Sequence, residues 1–169
     1  MQVEATYDQA MSRKYPEQIA IAIALDPQGK PNPITLGWVM NASIDPPMLA
    51  ISIGRTRYSL QAVRHSRQFV VSYPSAQMAA DARFHGSRSG RDLDKLAACG
   101  TRTQPAKRVQ GVILADAVAN FECELEAELP TGDHVIFVGR VVASHVNSDP
   151  SVRRLYSLGD EQMGAVVPA

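Results

Sequence analysis

The sequence predicts a mainly β fold: a β-barrel of about six or seven mostly antiparallel strands with a few short helices inserted. Three observations predict it. Apolar residues alternate with a period of two along "IAIAIALDPQGK" and again along "FECELEAEL", which is the repeat of a strand. Clusters of turn residues such as "DPQGKPNP" and "NASIDPP" interrupt these stretches at short intervals. The first run also sets large side chains (Ile19, Ile21, Ile23, Leu25) against small ones (Ala20, Ala22, Ala24), a split that suits the curved wall of a small barrel.

The remaining elements follow in order. Ile34 to Ser43 reads as one strand, with Ile34, Leu36, Trp38, Met40 and Ala42 on one face and Thr35, Gly37, Val39, Asn41 and Ser43 on the other. Leu49, Ile51 and Ile53 mark the next strand. "YSLQAVRHSR" reads as a short helix with Leu60 and Val63 inward, leading into the strand "QFVVSYP". "SAQMAADARF" is a second helix with Ser75 as its N-cap, and "LDKLAAC" a third. Three long strands, "VILADA", "VANFECELEAEL" and "DHVIFVGRVVASHV", complete the set. In the middle one, Phe121, Cys123, Leu125, Ala127 and Leu129 are expected inside, and Asn120, Glu122, Glu124, Glu126 and Glu128 in water. One domain is expected over residues 1–169, with 1–14 and 150–169 as peripheral arms.

Composition narrows the function. At 169 residues with 45% hydrophobic and 20% charged residues, the chain can bury a sizeable core. Lys+Arg and Asp+Glu both number 17, so there is no basic excess of the kind a nucleic-acid or acidic-membrane binder shows. No nucleic-acid or membrane partner is expected, and near-zero net charge leaves association open. Cys99 and Cys123 form no CxxC pair and no metal-ligand spacing, so a reducing, cytoplasmic setting and no metal are expected. No signal-peptide core is visible, nor an apolar run of the roughly 18 residues a membrane span needs. His65, His85 and His145 are scattered, and GxxxxGK[ST], GxGxxG and GxSxG are all absent.

Four stretches remain that suit chemistry. In "NASIDPP", Pro46 and Pro47 lack N–H groups and hold their preceding residues extended. The chain therefore leaves the sheet in a fixed direction, and Asn41, Ala42 and Ser43 stand at the sheet's end, where a planar heteroaromatic ring could meet free backbone N–H groups. An ordinary strand-ending turn fits the same residues. "SIGRTRYSLQ" joins a strand to a helix start through Ser52, Gly54, Arg55, Thr56, Arg57, Tyr58 and Ser59. It is either a phosphate site or a solvated helix cap. "HGSRSGRDLDK" carries Arg88, Arg91 and Lys95 beside Ser87, Ser89 and Gly90, either as a cationic flap or as plain surface. His134 opens the strand in "GDHVIFVG", in a structural or a catalytic role.

Taken together, "NPITLGW", "NASIDPP", "SIGRTRYS", "SGRDLDK" and "GDHVIFVGRVV" resemble, in order and spacing, the flavin reductase-like FMN-binding split-barrel family, which holds flavoredoxins and short-chain NAD(P)H:flavin oxidoreductases. The resemblance covers roughly Tyr15 to Val146. It implies a split-barrel homodimer with FMN near the subunit interface, its ring against Asn41, Ala42 and Ser43. It also implies that Asn32, Thr35 and Trp38 line the flavin site. Ser52, Gly54, Arg55, Arg57, Tyr58 and Ser59 would then hold the ribityl phosphate, with Ser where the family usually has Thr at position 59. Ser89, Gly90, Arg91 and Lys95 would stand near phosphate or an incoming nicotinamide, and His134 would approach the flavin. The implied activity is hydride transfer from NAD(P)H as co-substrate, serving a partner monooxygenase or another redox protein. An FMN electron carrier without NAD(P)H activity and a non-redox flavin-binding dimer are the alternatives. The chain departs from the family in its tail, "YSLGDEQMGAVVPA", and in the arginine-rich "HGSRSGR".

Overall fold

The structure, a computed structural model, describes residues 1–166. In chain order it contains α1 (Tyr7–Met11), β1 (Glu17–Gln18), β2 (Ala20–Leu25), β3 (Pro31–Leu36), β4 (Val39–Ser43) and β5 (Met48–Gly54). Next come α2 (Tyr58–Ser66), β6 (Gln68–Tyr73), a 3-10 turn (Ala76–Met78), α3 (Ala79–Ser87) and α4 (Lys95–Cys99). The chain finishes with β7 (Thr103–Pro105), β8 (Val112–Leu114), β9 (Ala119–Thr131), β10 (His134–Val146), β11 (Leu155–Gly159) and β12 (Gln162–Ala165). Seven strands form one antiparallel sheet in the order β3-β2-β6-β9-β10-β5-β4, rolled into an open barrel. No helix among the described residues is long and apolar enough to cross a membrane.

The large/small split of β2 has a direct packing reason. Ala20, Ala22 and Ala24 face the barrel interior, which the rings of Phe69 and Phe137 fill together with Leu36, Val39, Ile51 and Ile53. Ile19, Ile21 and Ile23 point outward into a second core with Val70, Met78, Ala82, Leu114 and Leu155. The strand is buried on both faces, and the crowded concave side takes the small residues.

The expected strand Ile34 to Ser43 is two strands, β3 and β4, at opposite edges of the sheet. The Val39 N–H donates to the Gly37 carbonyl at 3.2 Å, a three-residue turn about Trp38 that reverses the pleat. Ile34 and Leu36 are therefore buried, whereas Trp38 and Met40 turn outward and Val39 turns in. Gly37 lies beside β1, where a Cβ would stand in ordinary contact, 3.4 Å from the Glu17 carboxyl carbon.

Strand β9 also departs from simple alternation. Asn120 and Glu122, expected in water, are buried, while Ala127 and Leu129 are exposed. The segment before β9 folds over its near half, and Glu122 accepts the N–H groups of Lys107 (2.8 Å), Arg108 (2.6 Å) and Val109 (2.9 Å). His145 Nε2 closes the cluster at 2.6 Å. Asn120 pairs with both backbone groups of Leu114 and accepts from the Ser72 hydroxyl at 2.6 Å. Of "VILADA" only Val112–Leu114 is strand, and it pairs with β7 outside the main sheet. The tail docks: β11 and β12 form a three-stranded sheet with β1, anchored by the fully buried Leu155. Residues 167–169 of the expected arm lie outside the described residues. At the other end, α1 buries no residue.

The outer face of β4, β5, β10 and β9 carries an apolar strip. Register aligns Met40 with Ala50, Ala50 with Val138 and Val138 with Ala127, while Ile136 stands opposite Leu129. Nothing else in the described chain covers Met40 or Leu129, which are 60% and 58% exposed.

Burial raises the Glu122 carboxyl, but the three N–H groups and His145 outweigh it and hold its pKa below the ordinary 4.5. A depressed carboxylate contributes stability that is present above pH 4.5 and lost as pH falls through the folded value. Glu122→Gln should therefore cost about 1–3 kcal/mol at neutral pH. It should also flatten the acid limb of a urea-denaturation series. An unchanged acid limb would show that Glu122 does not set it.

Candidate functional site

Three hollows run into one another across the mouth between β3 and β5. The first, about 520 Å³, is lined by Glu17, Gln18, Gly37 to Met40, Ala50 to Ser52, Thr131 to His134 and Ile136. The second, about 180 Å³, shares Gly37, Trp38, Ser52 and His134 with the first and adds Thr35, Leu36, Gly54 and Arg57. The third, about 150 Å³, shares Arg57 with the second and continues over Thr56, Tyr58, Ser59, Ser87 to Arg91 and Lys95. A groove walled by aromatic and apolar groups thus leads, through Arg57, into a cationic pocket.

The aromatic end is built by the bend at Trp38. The indole is 47% exposed, and its ring lies 4.6 Å from that of His134 at an interplanar angle of 44°. His134 opens β10 opposite Gly54, and its Nδ1 lies 2.7 Å from an Asp133 carboxylate oxygen. That contact holds the Asp133 carboxyl below its ordinary range. It also leaves Nε2 on the Gly54 side, 3.6 Å from where a Cβ on that glycine would stand. Thr35 lines the groove but its hydroxyl is engaged, donating to the Ala82 carbonyl at 2.6 Å. Ser52 is a wall residue of both apolar hollows.

The cationic end is built by α2 and the loop between α3 and α4. Arg57 caps α2 with extended backbone (ψ 134°), so Ser59 falls in the first turn, where the orphan N–H groups point. Arg57, Arg88, Arg91 and Lys95 all reach the pocket, and no carboxylate lines it. Lys95 is only 3% exposed, and its ammonium donates to the His85 carbonyl at 3.2 Å. Burial and the nearby Arg57 lower its pKa from 10.5 to about 8. A buried ammonium without a counter-charge is costly, and an anion in this pocket would supply one. Asn32 donates to the Ser59 hydroxyl at 2.8 Å, while its own carbonyl oxygen has no partner. Gly90 packs on that amide so closely that a Cβ would stand 2.1 Å from Asn32 Oδ1. Ser89 accepts the Arg91 N–H at 3.2 Å, and the Arg91 guanidinium lies 5.2 Å over the Tyr58 ring. The Tyr58 hydroxyl donates toward Asp26 and Gln28, and burial, then Asp26, raises its pKa.

The structure therefore gathers Asn32, Thr35, Trp38, Ser52, Gly54, Arg57, Tyr58, Ser59, Ser89, Gly90, Arg91, Lys95 and His134 along one trough. Arg55 stands apart, holding the turn before β10 through the Gly132 carbonyl at 3.0 Å. Asn41, Ala42 and Ser43 stand on the edge strand β4, beyond the trough. Asn41 and Ser43 instead line a separate hollow of about 350 Å³ with Pro47, Leu49, Tyr73 and Phe121. Sequence reasoning missed the apolar walls Met40 and Ile136, because each reads locally as an ordinary strand residue. It also missed the polar cluster beneath the cationic pocket, where Asp81, His85 and Cys99 place their ligand atoms within 4.8 Å of one another. His85 in that cluster is fully buried, and burial, then Lys95, lowers its pKa to about 4.

Comparison with known proteins agrees with this geometry. Residues 11–161 match the family described as "Flavin reductase like domain". An uncharacterized protein of Archaeoglobus fulgidus is 32% identical over 113 residues, covering 67% of this chain and 64% of that protein. An NADH-dependent FMN reductase of Streptomyces nodosus subsp. asukaensis is 33% identical over 119 residues, covering 66% of this chain and 60% of the reductase. The match thus spans less than two thirds of either relative's length. An FMN-binding protein from Thermus thermophilus, solved with bound p-hydroxybenzaldehyde, superposes with a TM-score of 0.85 at 25% identity, over 100% of this chain and 99% of that one. With the matched family covering most of the chain, from the first turns to β11, this protein belongs to the flavin reductase-like family.

Proposed function

We propose that the chain acts as one FMN-binding domain, paired as a homodimer, that transfers hydride from NAD(P)H to flavin. The observation that carries this reading is the continuity of an aromatic groove with a carboxylate-free cationic pocket through Arg57. A phosphate monoester joined to a planar ring by a polyol has that shape and charge distribution. The Streptomyces relative is named an NADH-dependent FMN reductase, which favours the same reaction here.

Bound flavin supplies the hydride-accepting ring, and the protein supplies place and field. Arg57, Ser59, Ser89 and Lys95 hold the phosphate, with Arg88 and Arg91 flanking it, and Asn32 orients the Ser59 hydroxyl. Thr35, Trp38, Ser52 and Gly54 line the ring's seat. Trp38, Met40 and Ile136 keep water from the apolar end. His134 holds or releases a proton at Nε2, its other nitrogen being engaged by Asp133. Asn41, Ala42 and Ser43 join the site through a ring or second nucleotide lying along the β4 edge past Met40. Pairing through the Met40–Ala50–Val138–Ala127 strip would cover this end of the groove. A second reading is an FMN electron carrier; the exposed Arg88 and Arg91 favour it, because they also suit docking to an acidic redox partner such as a monooxygenase.

Anaerobic stopped-flow mixing of the FMN-loaded protein with NADH and with NADPH tests the reaction. Rapid, saturable bleaching of the flavin is expected with at least one nucleotide. Bound flavin that stays oxidised with both would establish the carrier instead. His134→Ala should slow bleaching more than it weakens FMN binding, whereas Arg57→Ala with Ser59→Ala should do the reverse.

Lys95 gives a pH signature. Its charge is fully present well below pH 8 and lost as pH rises through about 8 in the free protein. FMN affinity should therefore fall above that pH, and Lys95→Met should abolish that part of the decline. A parallel decline in the variant would remove Lys95 from the phosphate site. Val138→Asp should yield monomers by light scattering with weakened flavin binding; an unchanged dimer would place the interface elsewhere.

A further inference from the structure

The groups beneath the cationic pocket form a cluster that neither flavin nor nicotinamide needs. Asp81 and His85 are four residues apart on α3, so their side chains leave the same helical face. Cys99 ends α4, and Thr101 follows two residues later. The Thr101 hydroxyl lies 3.0 Å from His85 Nε2 and donates to an Asp81 carboxylate oxygen at 2.8 Å. The Cys99 thiol approaches Thr101 and Asp81 as well. One nitrogen, one oxygen and one sulfur ligand atom thus lie within 4.8 Å of one another around a hydroxyl.

Hydrogen bonding alone does not complete this arrangement. His85 is fully buried, yet its Nδ1 has no partner. That nitrogen lies on the ring edge turned away from the Thr101 contact, so it costs stability without facing the cluster, toward which the ring presents Nε2. A purely structural staple between α3 and α4 needs only the His85–Thr101–Asp81 chain. The Cys99 thiol joins that chain through Thr101 and Asp81, which sets a sulfur donor beside the nitrogen and the oxygen.

We propose that Asp81, His85 and Cys99 bind a single zinc-class divalent ion, with the Thr101 hydroxyl or a water as fourth ligand. Mixed imidazole, carboxylate and thiolate donors suit Zn²⁺, whose four-coordinate sites take N, O and S together. Binding needs contraction of the ligand set, since metal–ligand bonds of about 2.0–2.3 Å bring donors closer than they stand here. It releases the Cys99 thiol proton to solvent as the thiolate forms its bond to the metal. No redox change accompanies the step.

The ion would fasten α3 to the end of α4. Between those points lies the loop that carries Arg88, Ser89, Gly90 and Arg91 and ends at Lys95. Its role is to fix the cationic pocket, without contact with a bound nucleotide. The proposal is independent of the flavin assignment.

The test is titration of the full-length, chelator-treated, flavin-free protein with Co²⁺ and then Zn²⁺, followed by absorbance. The expected result is one equivalent of Co²⁺ with tetrahedral ligand-field bands and a thiolate charge-transfer band, both displaced by Zn²⁺. Cys99→Ser should lose the charge-transfer band. Asp81→Asn and Cys99→Ser should each weaken Zn²⁺ binding beyond the roughly 10–100-fold of an outer-shell change. Circular dichroism establishes that both variants fold; where one does not, the charge-transfer band of the wild-type protein decides. Absence of stoichiometric uptake, or uptake that both folded variants retain, would overturn the site and leave the cluster a hydrogen-bonded staple.

Discussion

The geometry of this protein depends on the turn at Trp38. In an antiparallel sheet, neighbours in sequence usually pair, yet β3 and β4 are separated only by Gly37 and Trp38 and lie at opposite edges of the seven-stranded sheet. The chain can do this only because the sheet has rolled far enough to bring its edges near each other. Trp38 bridges that gap: its carbonyl accepts the Ser52 N–H of β5 at 3.0 Å, and the Gln18 side chain of β1 takes the next carbonyl, that of Val39. Regular pairing between the edges would close the barrel and erase the groove. The reversal of pleat keeps Val39 in the core while exposing Trp38 and Met40, so the same two-residue event produces both the opening and its aromatic wall.

Charge is distributed by a different rule. The apolar end of the trough lies on strands, where side chains are held perpendicular to a rigid sheet. The cationic end lies on a helix start and a loop, where N–H groups are unpaired and long side chains converge. Lys95 joins the two because it is buried by the fold and not by a ligand. Its ammonium has a carbonyl for company and three guanidiniums for neighbours in the pocket. The fold therefore spends stability to keep a positive site ready, and a dianion bound there would recover that cost. Near-zero net charge over the chain concealed this concentration, since the balancing carboxylates lie elsewhere. Examples are Glu124 and Glu126 with Arg140, and Glu128 with Arg64.

Strand periodicity, turn chemistry and the start of α2 were legible, as were the residues of the trough that carry a distinctive side chain. Ser75, expected to cap a helix, instead precedes the 3-10 turn without a capping bond from its side chain, and α3 begins at Ala79. What escaped was tertiary. A period-two pattern runs unbroken from Ile34 to Ser43, so nothing local reveals that Gly37 and Trp38 break it. Asn120 and Glu122 alternate with apolar neighbours just as surface residues do, and only the segment at Lys107 to Val109, folding back across β9, buries them. Ala127 and Leu129 carry the opposite error: their apolar character answers to an outer face that the chain leaves bare. The prolines at 46 and 47 do fix a corner, but they place Asn41 and Ser43 toward a hollow with Tyr73 and Phe121 and not along the main trough.

These errors share a cause. Pattern reading assumes that one face of a strand meets core and the other meets water, whereas β2 is buried twice, β9 changes role along its length and β4 presents an apolar face outward. Each exception marks a place where a second layer exists or is called for. The layer over β2 is the Ile19–Ile23 core under α3 and the tail, and the layer over the near half of β9 is the loop held by Glu122. The layer over Met40 and Leu129 is not supplied by this chain among its described residues, while Ala50 between its taller neighbours is buried and Val138 half-buried. An apolar strip in cross-strand register, exposed at Met40 and Leu129 and beginning beside the groove mouth, is what a two-fold partner would cover. In such a pair the open end of the groove becomes a buried one, and the wall that Trp38 leaves incomplete is finished by a second copy of the same surface.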